Sequence, residues 1–253
     1  MSAGERHSAA RTAVLWEAVR QVLERAGAQP GARIIDIGGG TGGFAVRLAG
    51  LGHRVTVVDP SPDALAALAR RAAESGVTDL VTGVQGDLAG LPELGDPGEE
   101  TGVADLVLCH GVLEVVPDPA AALATLAGVL RTGGSLSLLV AQRHAAVIAR
   151  AMAGHFQQAR SLLDATGSDG RTGHRFTTEE ITALLTAAGL VPTTVHGIRV
   201  FADLVPGSLL DLEPGSTAAL VELEQAVAGL PEYLPLATQL HLIAQRGEEP
   251  SRR

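Results

Sequence analysis

The chain has 253 residues, a length that one α/β domain with an insertion reaches, and a 46% apolar share is enough for a sizeable core. Only 2% of residues are aromatic, so that core must be Ala, Val and Leu, and a formal charge of −9 argues against a general binder of nucleic acid or anionic membranes. The single cysteine, Cys109, excludes an intramolecular disulfide and a cysteine-based zinc site; with no apolar signal region and no uncharged run of spanning length, a soluble cytoplasmic protein is expected.

Leu15, Val19, Val22 and Leu23 recur at helical spacing and predict an amphipathic helix over Ala9–Ala26, closed by Gly27. After Pro30-Gly31, Arg33–Ile37 reads as a buried strand, and five of the six residues that follow are glycine. A helix over Phe44–Leu51, a strand over Arg54–Val58, a helix over Pro62–Glu74 and a weaker strand over Val81–Gln85 come next. Glu93–Thr101 reads as an acidic loop. A fourth strand spans Asp105–Cys109, and a helix over Ala120–Leu130 is expected to stop at Gly133-Gly134 before a fifth strand over Ser135–Val140. Thr177 and Glu180 form a capping-box signal for a helix over Thr178–Ala188. Strands over Val191–Val200 and Gln239–Ala244 enclose a helix near Thr217–Ala228. Such alternation implies parallel βαβ units. Residues 143–176 break it and read as an insert over the carboxyl edge of the sheet.

The loop Asp36-Ile37-Gly38-Gly39-Gly40-Thr41-Gly42-Gly43 joins a strand to a helix, where glycines allow a sharp turn and close approach of a ligand to bare N–H groups. By itself it satisfies both the dinucleotide pattern G-x-G-x-x-G and the methyltransferase pattern D-x-G-x-G-x-G. Acidic residues separate the two. Asp36 would meet a pyrophosphate unfavourably but favours the ammonium and sulfonium of S-adenosylmethionine. Asp59, at the end of the second strand, suits both ribose hydroxyls, a feature shared with NAD proteins. Asp87, after the third strand, suits the adenine amino group, with Leu88 against the ring. Three carboxylates at the ends of three consecutive strands fit a cationic nucleoside, so S-adenosylmethionine is the expected cofactor.

At these residues the chain resembles class I methyltransferases over roughly Arg33–Val140. A narrower resemblance runs nearly end to end, through Val14-Leu15-Trp16-Glu17, His110–Glu114 with Pro117-Asp118-Pro119, Gly197–Phe201, Val221–Glu224 and Pro231-Glu232-Tyr233. These segments are similar to those of the bacterial tRNA carboxymethoxyuridine methyltransferases, which esterify the carboxylate of a modified wobble uridine. The resemblance implies that Arg11, Gly38, Gly39, Asp59 and His110 bind the donor. It also shows departures: Ser161–Gly173 replaces a lysine-rich aromatic insert, Val115 a tryptophan, and Ala202 and Leu204 a polar His and Tyr.

His110 closes the fourth strand and reads either as a wall of the donor pocket or as a general base for a hydroxyl acceptor; a carboxylate acceptor needs no base. Cys109-His110-Gly111-Val112 is not the Asn/Asp-Pro-Pro-Tyr of base N-methyltransferases. Arg199 can clamp an acceptor carboxylate bidentately or lie on the surface as an ordinary arginine. Arg143 opens the insert as a second acceptor candidate. Over 143–176 five arginines face two aspartates, a charge of +3 that leaves −12 on the rest and suits an anionic acceptor or an ordinary solvated loop. Histidine spacing there supports no metal.

The expected architecture is a three-layer α/β/α Rossmann-like methyltransferase fold. Its seven-stranded sheet is mainly parallel, with the last strand antiparallel beside the fifth. One methyltransferase domain is expected over 1–253, with 143–176 as a substrate-side insert or lid. The expected acceptor is a carboxylate of modified tRNA, or alternatively a small molecule, with no DNA or membrane partner.

Overall fold

The alternation of strand and helix carries through the computed structural model, which describes residues 3–25, 30–88, 90–91, 102–164, 173–206, 209 and 215–247, with backbone alone for 3–11 and 164. In chain order the elements are α1 (Ala3–Arg25), β1 (Arg33–Ile37), α2 (Gly43–Gly50), β2 (Arg54–Asp59), α3 (Pro62–Glu74), β3 (Val81–Gln85), β4 (Ala104–His110), α4 (Pro119–Val129), β5 (Leu130–Ala141), α5 (Arg143–Met152), α6 (Phe156–Asp164), α7 (Thr178–Ala187), β6 (Leu190–Ile198), α8 (Ser216–Val227) and β7 (Gln239–Arg246). The seven strands run β3-β2-β1-β4-β5-β7-β6, and β7 is antiparallel to both its neighbours, as expected for the last strand. The loop expected over Glu93–Thr101 lies outside the described residues. Among those described, no helix is long and apolar enough to cross a membrane.

The chain forms two compact units. The major unit comprises 22–138, 183–193 and 243–253; the minor unit comprises 1–21, 139–182 and 194–242.

Parallel pairing organises the major unit. β1 lies between β2 and β4, and Ile34, Ile35 and Ile37, which alternate between the two faces of the sheet, are all buried, so both faces are covered there. β3 is an edge strand whose five residues are all partly or fully exposed, which explains its weaker hydrophobic signal. The registers Ile37↔Val58, Asp59↔Gln85 and Ile37↔Cys109 bring the carboxyl ends of β1, β2, β3 and β4 to one rim. Ser-Pro and Asp-Pro start the adjoining helices: Ser61 Oγ accepts from Ala64 N at 3.2 Å, and Asp118 Oδ1 accepts from Ala120 N and Ala121 N at 3.0 and 3.1 Å.

Several boundaries differ from expectation, α1 starting at Ala3 and β5 well before Ser135 among them. β5 begins at Leu130, five residues before Ser135, so Gly133 and Gly134 lie inside the strand and do not stop the helix. Leu130 is fully buried, and a Cβ on Gly134 would stand 3.0 Å from Ala104 O, so close backbone approach demands glycine there.

In the minor unit, the described residues of 143–176 are largely helical, in α5 and α6. The ends of the segment are pinned together: Phe176 N donates to Ala141 O, and Arg143 N to Phe176 O, each at 3.0 Å. Next to this closure, Thr177 N donates to Glu180 Oε2 at 2.9 Å while Glu180 N donates to Thr177 Oγ1 at 3.2 Å, completing the capping box. Glu180 also pairs with the half-buried Arg143 guanidinium at 2.7 Å. Glu180→Ala removes both interactions, and a stability loss of about 2 kcal/mol is expected in urea unfolding. Glu180→Gln should recover most of the cap and less of the ion pair.

Candidate active site

The four strand ends enclose a cavity of about 680 Å³ in the major unit. Gly38 lines it from the β1–α2 loop, Asp59 from β2, Asp87 and Leu88 from the turn after β3, and His110 from β4. One face of α4 completes the wall at Ala121, Ala122 and Thr125. This size lies within the range of small-molecule pockets, and its walls are mainly apolar.

Gly38, Gly39 and Gly42 of the loop are packed too tightly for side chains. Gly38 has φ +66°, and a Cβ there would stand 2.6 Å from Val112 Cγ2. A Cβ on Gly39 would stand 2.5 Å from Asp36 Oδ2 and 2.9 Å from Val57 Cγ1. Asp59, almost fully buried, ties the loop down: its Oδ2 accepts from Gly40 N and its Oδ1 from Ser61 N, both at 2.9 Å. A carboxylate has about four acceptor positions, so further acceptor capacity remains on each oxygen.

Asp36 stands behind this surface. It does not line the cavity but lies against Gly39, 4% exposed. Burial, reinforced by the neighbouring Asp59 charge, pushes its carboxyl up to about 7. Burial likewise pushes the Cys109 thiol up, which leaves it inert as a nucleophile at neutral pH.

His110 is fixed by two residues that sequence reasoning did not pick out. Its Nε2 lies 2.9 Å from Ser137 Oγ, and Phe44 meets its ring edge-on with centroids 5.4 Å apart. Ser137 is fully buried in β5 between Leu136 and Leu138. A hydroxyl in such an apolar run was the available signal, because a buried hydroxyl needs a partner.

The remaining candidates, Arg11, Arg143 and Arg199, belong to the minor unit. The side chain of Arg11 lies outside the described residues. In the minor unit, Arg143 donates to Glu180 and, through Nη2, to Arg175 O at 3.0 Å, so it serves the closure of the insert. Arg199 has φ +60°, and its guanidinium pairs with Asp203, which also accepts from Thr238 Oγ1 at 2.7 Å. Glu224, buried and unpredicted, accepts from Val200 N, Phe201 N and Ala202 N at 2.9, 2.9 and 2.7 Å. Phe201 packs edge-on against Tyr233, so the segments around 197–201, 221–224 and 231–233 form one structural cluster. Among the described residues, no group of three or more His, Cys, Asp or Glu stands close enough to hold a metal ion.

A parallel sheet with a glycine-rich first turn and acidic strand ends is what the methyltransferase domain family is built on. The model of that family matches residues 9–195, and the chain belongs to it: it is an enzyme that uses S-adenosylmethionine. Over 240 residues it is 30% identical to the tRNA 5-carboxymethoxyuridine methyltransferase of Escherichia coli K12, covering 93% of this chain and 88% of the relative. It is 36% identical over 140 residues to the ubiquinone biosynthesis O-methyltransferase of Xanthomonas campestris pv. campestris (strain B100), covering 55% of each. Magnesium protoporphyrin IX methyltransferase from Synechocystis PCC 6803, solved with bound S-adenosylhomocysteine, shares the fold with a TM-score of 0.63 at 16% identity, covering 96% of this chain and 86% of that one.

Proposed function

We propose that this methyltransferase esterifies a carboxylate, and that the carboxylate belongs to a 5-carboxymethoxyuridine in tRNA. The observation that supports this acceptor most is the extent of sequence likeness, 93% of the chain for the tRNA enzyme against 55% for the ubiquinone enzyme. When bound in the rim cavity, S-adenosylmethionine supplies a methyl group on a sulfonium, which an oxygen anion displaces to leave S-adenosylhomocysteine.

In this reading Asp59 accepts from both ribose hydroxyls, and Asp87 accepts from the adenine amino group with Leu88 against the ring. The bare backbone of Gly38, Gly39 and Gly40 admits the methionyl portion, and Arg11 holds its carboxylate. Asp36 adds negative charge from behind Gly39. A carboxylate acceptor arrives ionised, so no proton has to move, and alignment supplies most of the rate. His110, held by Ser137, then acts as a wall of the pocket and not as a base. Arg199 is assigned to the acceptor carboxylate through its remaining guanidinium donors, its pair with Asp203 kept. Arg143, paired with Glu180, has no acceptor role here.

Purified protein, labelled S-adenosylmethionine and tRNA carrying 5-carboxymethoxyuridine are expected to give tRNA-bound label that mild alkali releases as from an ester. Label in a small carboxylic acid, with none in this tRNA, refutes the acceptor. A small-molecule O-methyltransferase is the second reading, favoured by the absence of lysine from Ser161–Gly173.

A further inference from the structure

The minor unit contains a second cavity, of about 540 Å³, that the reading above does not use. Nine of its fourteen described lining residues are Ala, Val, Ile, Leu or Met, most of them presented by α5. Four large apolar side chains that are exposed elsewhere on their surfaces converge on it: Ile148, Met152, Leu204 and Leu236. Met152 is 69% exposed. Isolated exposed apolar residues are ordinary; four around one concavity of ligand size mark a binding surface.

The polar wall decides what such a ligand carries. Gln142 is satisfied within the protein, its Nε2 donating to Leu234 O at 3.0 Å and its Oε1 accepting from Ala145 N at 3.2 Å. Thr238 Oγ1 is engaged with Arg199 O and Asp203 Oδ2, at 3.1 and 2.7 Å. Asp203 is neutralised by Arg199. Two lining residues remain, Arg150 and Arg175, and among the described residues neither guanidinium has a carboxylate partner. The wall is therefore apolar, internally saturated and net positive.

We propose that this cavity is a binding site for an amphipathic organic anion, a carboxylate on an apolar body, with Arg150 and Arg175 receiving the charge. An arginine fork binds a carboxylate bidentately, and the α5 face supplies the apolar contact. A bare inorganic anion would forfeit that contact, and a neutral chain would leave the arginines without their partner. The assignment does not depend on which acceptor is methylated, and its test reads binding and not turnover.

Calorimetric titration of the full chain with decanoate tests it, with decanol and inorganic phosphate as controls. Decanoate is expected to bind saturably at one equivalent, with both controls at least about tenfold weaker. Arg175→Gln should weaken decanoate by about tenfold or more. Ala149→Phe, which fills the cavity from α5, should abolish it while the affinity for S-adenosylmethionine stays unchanged. No saturable decanoate binding, phosphate binding as tight as decanoate, or decanoate affinity unchanged in both variants would each overturn the proposal.

Discussion

Asp59→Ala is expected to weaken S-adenosylmethionine binding about a hundredfold, equivalent to about 2.7 kcal/mol, because two hydrogen bonds to one charged acceptor disappear. The carboxylate serves two purposes. Its oxygens hold Gly40 N and Ser61 N at 2.9 Å, which fixes the glycine loop and the entry to α3, and in the proposed donor pose its spare acceptor capacity meets the ribose. Removing it therefore loosens the loop as well as deleting contacts. Asp59→Asn separates the effects: it keeps the volume and one acceptor, so the loop should stay closer to its native position and the loss should be smaller. Calorimetry on both variants, with circular dichroism as a check on folding, decides the matter. A dissociation constant unchanged in Asp59→Ala would show that the ribose lies elsewhere.

Donor binding is also expected to release a proton through Asp36. Its carboxyl is raised to about 7 by burial and then by Asp59, so the unliganded protein is a mixture of both forms at neutral pH. A cationic ligand at the rim favours the ionised form, and affinity should rise about tenfold between pH 6 and pH 8 if only that form binds well. The stability of the unliganded chain should move the other way. A carboxyl whose pKa is raised on folding contributes stability that is complete below about 3.8, the unfolded value, and lost as pH climbs through about 7. Asp36→Asn should therefore raise Tm relative to wild type at pH 8, leave it nearly equal at pH 4, and flatten the affinity profile. Binding heats measured at pH 7 in buffers of different ionisation enthalpy report the proton directly. Heats independent of the buffer, together with parallel pH profiles for wild type and Asp36→Asn, would exclude the linkage.

Much of the fold was legible because its signals are local. Helix α3 was predicted over its observed span since Ser61 caps it and Pro62 occupies its first turn. Strand β1 is legible over its observed span because Ile34, Ile35 and Ile37 cluster between the Pro30-Gly31 turn and the glycines, and Thr177 with Glu180 announces α7. β5 was cut short because Gly133-Gly134 also reads as a helix stop; only the approach of Ala104 O at 3.0 Å explains glycine inside a strand. The two helices of 143–176 went unassigned because an insert has no alternation to fit.

The candidate site divides in the same way. Gly38, Asp59, Asp87, Leu88 and His110 follow directly from their strands, and parallel registers place residues at strand ends on one rim. Ser137 is 27 residues from the histidine it holds, and Glu224 is 22 to 24 residues from the three amides it accepts. Arg143 pairs with Glu180, 37 residues on, a partner that its local sequence does not announce.

From residue order alone came the strand–glycine–helix unit, the acidic strand ends and hence the methyl donor, because each depends on neighbours within a few positions. Tertiary structure decided which carboxylate faces the cavity and which stands behind it, which arginines are already paired, and where an apolar concavity gathers two guanidinium groups that have no carboxylate partner among the described residues. These depend on distances between segments far apart in the chain, which register and packing set and local pattern does not encode.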